Sequence, residues 1–200
     1  KANLYLILDT SVLSYEKLLK QLKLAVENGV GIVQLRDKNS NAASLLQFSE
    51  QAKRIINHRA LFIINDRVDL AMLAKADGVH VGQEDISYQQ ARHLMGRKAI
   101  IGVSCQTIEH VKKAHQDGAD YIGFGSVFKT QTKPDRFPMK QELLRKVMKL
   151  SKLPTFAIGG INTKNAASLK DLGVKRIAVC RDILFAKDVK KTISEFKKVI

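Results

Sequence analysis

The sequence predicts an α/β protein folded as a closed (β/α)8 barrel, and two observations predict it. Short apolar runs alternate with helix-periodic stretches from one end of the chain to the other. The chemically capable residues fall just after the apolar runs, where parallel barrel strands would deliver them to one face. With 200 residues and 45% hydrophobic content, the chain has the size of one domain with a substantial core, so a single barrel over residues 1–200 is expected.

Eight runs read as buried strands: Leu4–Leu8, Ile32–Leu35, Leu61–Ile64, Val79–Val81, Ala99–Val103, Tyr121–Phe124, Thr155–Ile158 and Ile177–Val179. Between them, apolar residues recur at three- and four-residue spacings. The sets are Leu18, Leu22, Ala25 and Val26; Leu45, Phe48, Ala52 and Ile55; Leu143, Leu144, Val147 and Met148; and Val189, Ile193 and Phe196. Gly29, Gly78, Gly118 and Gly173 stand where helices should stop before new strands. No Ser/Pro-rich linker or low-complexity tract divides the chain. An open doubly wound sheet is the competing arrangement, but it usually carries a Gly-x-Gly-x-x-Gly turn after its first strand. Here that turn reads Asp9-Thr10-Ser11. Strand count and strand-end chemistry both favour the TIM barrel.

Composition narrows the function classes. No apolar run approaches a membrane span, and Leu4–Leu8 follows the first residues as a strand and not as a signal peptide. The chain starts without Met, so a few preceding residues are expected to be missing or removed. Cys105 and Cys180 are too few and too far apart for a disulfide framework, which points to a reducing cytoplasm. Cys105 reads as a packed strand residue and not as a nucleophile. The net charge is +15, and residues 140–200 hold fifteen Lys and Arg against five Asp and Glu. Aromatics make up 6% and tryptophan is absent, so nucleic acid is not the expected main partner. A positive field also draws in small phosphate and diphosphate substrates. A homo-oligomer stays open.

The strand ends carry the candidate chemistry. Alternation puts Gln34, Arg36 and Lys38 on one side of the second strand and Leu35 and Asp37 on the other. Arg and Lys converging on a barrel mouth suit an anion with several oxygens; the plain alternative is a salt bridge from Arg36 to Asp66 or Asp85. Those two carboxylates come from adjacent strand ends. They either neutralise the basic pair or hold Mg²⁺ while the basic groups hold its diphosphate. His58, His80, His93, His110 and His115 show no paired zinc-ligand spacing. Gly159-Gly160 and Cys180-Arg181 follow the seventh and eighth runs, where barrels often bind a phosphate through backbone N–H groups. Between the two regions lies a loop with Thr130, Thr132 and Lys133, either a bridge to phosphate oxygens or a solvated turn.

Taken together, Gln34-Leu35-Arg36-Asp37-Lys38, Asn65-Asp66, Gly82-Gln83-Glu84-Asp85, Gly102-Val103-Ser104, Thr130-Gln131-Thr132-Lys133 and Gly159-Gly160-Ile161 closely resemble the thiamine phosphate synthase family over essentially the whole chain. The resemblance implies a transferase of thiamine biosynthesis. Hydroxymethylpyrimidine diphosphate would lose pyrophosphate, and the nitrogen of a (carboxy)thiazole phosphate would capture the methylene. By the same resemblance Gln34, Leu35, Arg36, Asp37, Lys38, Asn65, Ser104 and Lys133 would contact the pyrimidine diphosphate. Asp66 and Asp85 would bind Mg²⁺. Thr130, Gln131, Thr132, Gly160, Cys180 and Arg181 would contact the thiazole phosphate. Arg36, Lys38, Ser104 and Lys133 would form the catalytic set. The chain departs from the pattern at Gln106, where a His is usual, and at Ser126 and Lys129, where a proline is common. A thiazole tautomerase of the same fold family is the nearest other reading, and a non-catalytic phosphate-ligand or RNA-binding barrel is a second.

Overall fold

A computed structural model of the chain describes residues 2–132 and 136–200. Strands β1 (Leu4–Asp9), β2 (Ile32–Arg36), β3 (Leu61–Asn65), β4 (Gly78–Val81), β5 (Ile100–Cys105), β6 (Tyr121–Gly125), β7 (Thr155–Ile158) and β8 (Ile177–Val179) close into a barrel in sequence order. Every neighbouring pair is parallel, including β8 back to β1. The helices are α1 (Tyr15–Glu27), α2 (Ala42–Ile56), α3 (Val68–Leu73), α4 (Tyr88–Met95), α5 (Ile108–Asp117), α6 (Gln141–Leu150), α7 (Arg181–Leu184) and α8 (Val189–Lys197). A 3-10 helix, Ala166–Leu172, stands between β7 and β8.

Two separate cores follow from strand alternation. Leu6, Leu8, Val33, Leu35 and Ile64 point outward and pack with helix residues such as Leu18, Leu22, Phe48 and Ala52. Burying one such aliphatic side chain contributes about 1.5–3 kcal/mol. Tyr5, Ile7, Ile32, Ile63, Tyr121, Phe156 and Ala178 point inward and fill the barrel. Short polar side chains set the starts of α2 and α4: Asn41 accepts from the Ser44 N–H, and Ser87 and Gln90 form a reciprocal capping box.

The eight expected strands are all present, several reaching one or two residues farther toward the functional face. The fifth runs on through Ser104 and Cys105, and the third includes Asn65. Gly118 and Gly173 close their helices in the left-handed region, as expected. Gly78 does not: α3 ends at Leu73, Lys75 takes the positive φ of 48°, and Gly78 opens β4. Glycine is required there because any Cβ would run into the Ile100 carbonyl of the neighbouring strand. Among the described residues, no helix is long and apolar enough to cross a membrane.

Candidate active site

At the C-terminal ends of the strands the barrel opens into a cavity of 630 Å³. Its floor is the inward core. Phe156 meets Tyr5 and Tyr121 edge to face, and the two tyrosine rings are tilted at 60° to each other, with centroids 5.3 to 5.9 Å apart in all three pairs. The polar atoms of this floor form one continuous chain across five strands. Gln34 Nε2 donates to Tyr5 Oη at 2.7 Å, and Tyr5 and Tyr121 share a hydroxyl–hydroxyl bond of 2.9 Å. Tyr121 Oη meets His80 Nδ1 at 3.1 Å, and His80 Nε2 meets Ser104 Oγ at 2.9 Å. Burial raises both tyrosine hydroxyls well above their ordinary range, so they remain neutral. An aromatic floor edged with donors and acceptors suits a heteroaromatic ring.

One rim is charged. Arg36 lines the cavity, and its Nη1 donates to Asp9 Oδ2 at 2.8 Å. The plain alternative, a salt bridge from Arg36 to Asp66 or Asp85, is therefore not the one formed. Lys38 lies beyond the end of β2 and turns toward β3, where Nζ pairs with Asp66 Oδ2 at 2.6 Å. The two basic groups thus splay to opposite sides of β2. Asp66 has a positive φ of 62°, a conformation that Asp tolerates better than most residues, and its N–H donates to the His80 carbonyl at 2.8 Å. Asp85 folds back so that Oδ2 accepts the Gly82 N–H at 2.7 Å. Burial, and after it a hydrogen bond with Asp66, pushes the Asp85 carboxyl above the usual carboxylate range. The two carboxyls therefore meet, as their strand ends predicted.

Leu35 and Asp37 stand elsewhere. Leu35 is buried in the outer core. Asp37 accepts hydrogen bonds from the Tyr15 hydroxyl and from the backbone N–H groups of Asn39 and Ser40. Burial alone would raise the Asp37 carboxyl, but these bonds outweigh it and hold the group below its ordinary value. Neither residue lines the cavity.

The other rim is built mainly from backbone. Gly160 has a φ of 64°, and a Cβ there would collide with the Lys129 carbonyl, so the β7 end and the loop after β6 touch main chain to main chain. The N–H groups of Val127 and Phe128 donate to the carbonyls of Ile158 and Gly159, both at 2.9 Å. Thr130, Gln131, Thr132, Gly160, Cys180 and Arg181 all line the cavity, and so does Asn65 from the opposite side. Burial, reinforced by nearby Asp9, pushes the Cys180 thiol up to about 12. Lys133 lies outside the described residues.

A second concavity opens on the opposite face of the barrel, lined by Lys53, His58, Arg59 and Lys197 among others. There Lys53 and Lys197 donate to helix-end carbonyls of Ala74, Lys75 and Asn28. None of the predicted site residues reaches it.

Residues 4–183 match the family model described as thiamine monophosphate synthase. The chain belongs to that family. A thiamine-phosphate synthase from Fusobacterium nucleatum subsp. nucleatum is 38% identical over 196 residues, covering 98% of this chain and 95% of the relative. One from Synechococcus sp. (strain WH7803) is 40% identical over 174 residues, which is 86% of this chain but 49% of that relative. Among solved structures, the thiamine phosphate pyrophosphorylase from Pyrococcus furiosus superposes with a TM-score of 0.88 at 35% identity, covering 98% of this chain and 94% of that one. A 3-hexulose-6-phosphate synthase, at TM-score 0.74 and 16% identity, shares the fold alone.

Around this cavity Asp9, Tyr5, Tyr121 and His80 carry roles that their place in the sequence does not announce: Asp9 reads as part of a turn, the tyrosines as members of apolar runs, and His80 as a histidine without a paired ligand. The parity of β1 holds the missing signal: Tyr5, Ile7 and Asp9 alternate with Leu6 and Leu8, so they share the inward side.

Proposed function

We propose that the chain joins a pyrimidinylmethyl diphosphate to a thiazole phosphate, giving thiamine phosphate and pyrophosphate. The observation that carries this reading is one cavity with an aromatic, hydrogen-bonding floor between a charged rim and a backbone rim. The floor takes the pyrimidine, with Gln34, Asn65 and Ser104 at its edges. Arg36 and Lys38, with Lys133, hold the diphosphate and offset the charge that develops as it leaves. Thr130, Gln131, Thr132, Gly160, Cys180 and Arg181 hold the thiazole phosphate, so that its ring nitrogen faces the methylene. The nitrogen carries its own lone pair and needs no general base. Closure of both substrates over the floor excludes water, which would otherwise capture the same carbon.

Asp66 and Asp85 fit Mg²⁺. The donor set is oxygen only, and two carboxyls are drawn close enough to share a hydrogen bond, an arrangement that a divalent cation relieves. When bound there, Mg²⁺ would supply positive charge to the departing diphosphate. Lys38 already pairs with Asp66. Leu35 and Asp37 act through backbone, with Asp37 fixing the turn that carries Lys38.

The test is to mix the purified chain with both substrates and Mg²⁺ and to follow thiamine phosphate and pyrophosphate together. Stoichiometric appearance of both is expected, and only when both substrates are present. Tautomerisation of a carboxythiazole phosphate without coupling would replace this reading by the isomerase one.

A further inference from the structure

Asp9 does not line the cavity, yet it is the carboxylate nearest complete burial at the barrel mouth, 1% exposed. A carboxylate so far from water is tolerated only when a cation and hydrogen bonds compensate it. Both of its oxygens are engaged. Oδ2 accepts from Arg36 Nη1 at 2.8 Å, and Oδ1 accepts from the Ser11 N–H at 2.9 Å and the Ser11 hydroxyl at 2.6 Å. Asp9 and Arg36 are also register partners across β1 and β2, and the Thr10 N–H donates to the Arg36 carbonyl at 3.1 Å. Backbone pairing and side-chain pairing therefore fix the same two residues.

We propose that Asp9, braced by Ser11, is the positioning residue that holds the Arg36 guanidinium at the cavity wall in a single orientation, ready for the diphosphate. This rests on the reading of Arg36 as a diphosphate ligand. One of the guanidinium's five N–H bonds is spent on Asp9, and the rest of the fork is left to the cavity. Without that anchor a long, rotamer-rich side chain would have to be ordered each time substrate binds. Lys38 illustrates the contrast: it is 51% exposed and pairs with Asp66, itself part of the carboxyl pair. Among the described residues, Asp9 is paired with no second cation: its other oxygen is held by Ser11.

The test is steady-state kinetics on the full chain for Asp9→Asn, Arg36→Gln and the double variant, with both substrates varied. Asp9→Asn should lower kcat/KM for the diphosphate substrate by about 10–100-fold, the range seen when a partner that orients a functional group is lost. The KM for the thiazole phosphate should stay within about twofold. In the Arg36→Gln background the same change should cost less than about threefold, because its target is gone. Equal losses in both backgrounds, or an Asp9→Asn enzyme within about twofold of the parent, would overturn the assignment. An Arg36→Gln variant with full activity would instead sink the diphosphate role of Arg36, and this inference with it. If Asp9→Asn does not fold, Ser11→Ala provides the same cycle: a several-fold loss is expected that vanishes beside Arg36→Gln, and an undiminished loss counts against the proposal.

Discussion

The two rims of the cavity face anions by opposite means. From β2 to β4 the charged groups are side chains: Arg36, which lines the cavity and is anchored on Asp9, and, just outside the lining, Lys38 on Asp66 and the Asp66–Asp85 pair. From β6 to β8 it presents mainly main chain, with Gly160 pressed against the Lys129 carbonyl and the loop pinned to Ile158 and Gly159. A side-chain rim can change charge without moving the backbone. The main chain of the second rim has no charge to lose and little room for any added atom, its charge coming from side chains such as Arg181 beside it. The first should therefore fail chemically with the fold intact, and the second sterically.

The largest effect expected is at the charged rim. Asp66→Asn keeps a residue that accepts the left-handed backbone but removes the carboxylate, and turnover should fall by on the order of a hundredfold or more with an unchanged melting temperature. Activity within a few-fold of the parent would remove Asp66 from the metal role. Next comes Gly160→Ala, which meets both a positive φ and the Lys129 carbonyl. Its stability should drop by about 1–2 kcal/mol or more and its KM for the thiazole phosphate should rise, while the KM for the diphosphate substrate stays the same. A parallel rise in both constants would show that the rims are not separable. Between the rims, Tyr121→Phe cuts the hydrogen-bond chain of the floor. A stability loss of about 1–3 kcal/mol is expected, with a loss of kcat/KM smaller than at Asp66. The smallest effect near neutrality concerns protons. Burial pushes the thiols of Cys105 and Cys180 up to about 12, against an ordinary value of about 8.5. The folded chain keeps these protons where the unfolded chain releases them. Stability should therefore be level below about pH 8.5 and fall above it, by about 1.4 kcal/mol per pH unit for each thiol until the folded value is reached. Urea midpoints between pH 8 and 10 for the parent and Cys105→Ala check the sign, and the slope should shrink in the variant.

The rims differ also in how far the sequence exposes them. The barrel itself was legible because a buried parallel strand is a short apolar run, and eight of them recur. Arg36, Lys38, Asp66 and Asp85 were legible because each sits at a strand end, a position that sequence order alone defines. Their partners were not. Arg36 chose Asp9, which is opposite it across β1 and β2, and Lys38 left the strand to meet Asp66. Pairing across strands depends on register, and apolar runs carry almost no register information. The same holds for Tyr5 and Tyr121, whose hydroxyls meet across 116 positions of sequence. Gly78 misled for a related reason: a glycine before a strand looks like a helix stop, whereas close approach of the Ile100 carbonyl is what demands it.

The chain of polar atoms beneath the cavity has a polarity. A tyrosine hydroxyl owns one proton and can accept two, so Tyr5, which accepts from the Gln34 amide, is open either to give its proton to Tyr121 or to accept a second one from it. The sense taken there passes on to His80, whose tautomer decides whether Ser104 Oγ accepts or donates. A carboxylate in place of the Gln34 amide would remove that freedom. It can only accept, so Tyr5 would turn its proton toward it, Tyr121 would donate to Tyr5, His80 Nδ1 would donate to Tyr121, and Ser104 would donate to His80 Nε2. A change of one atom at Gln34 would thus be felt at Ser104, three strands distant.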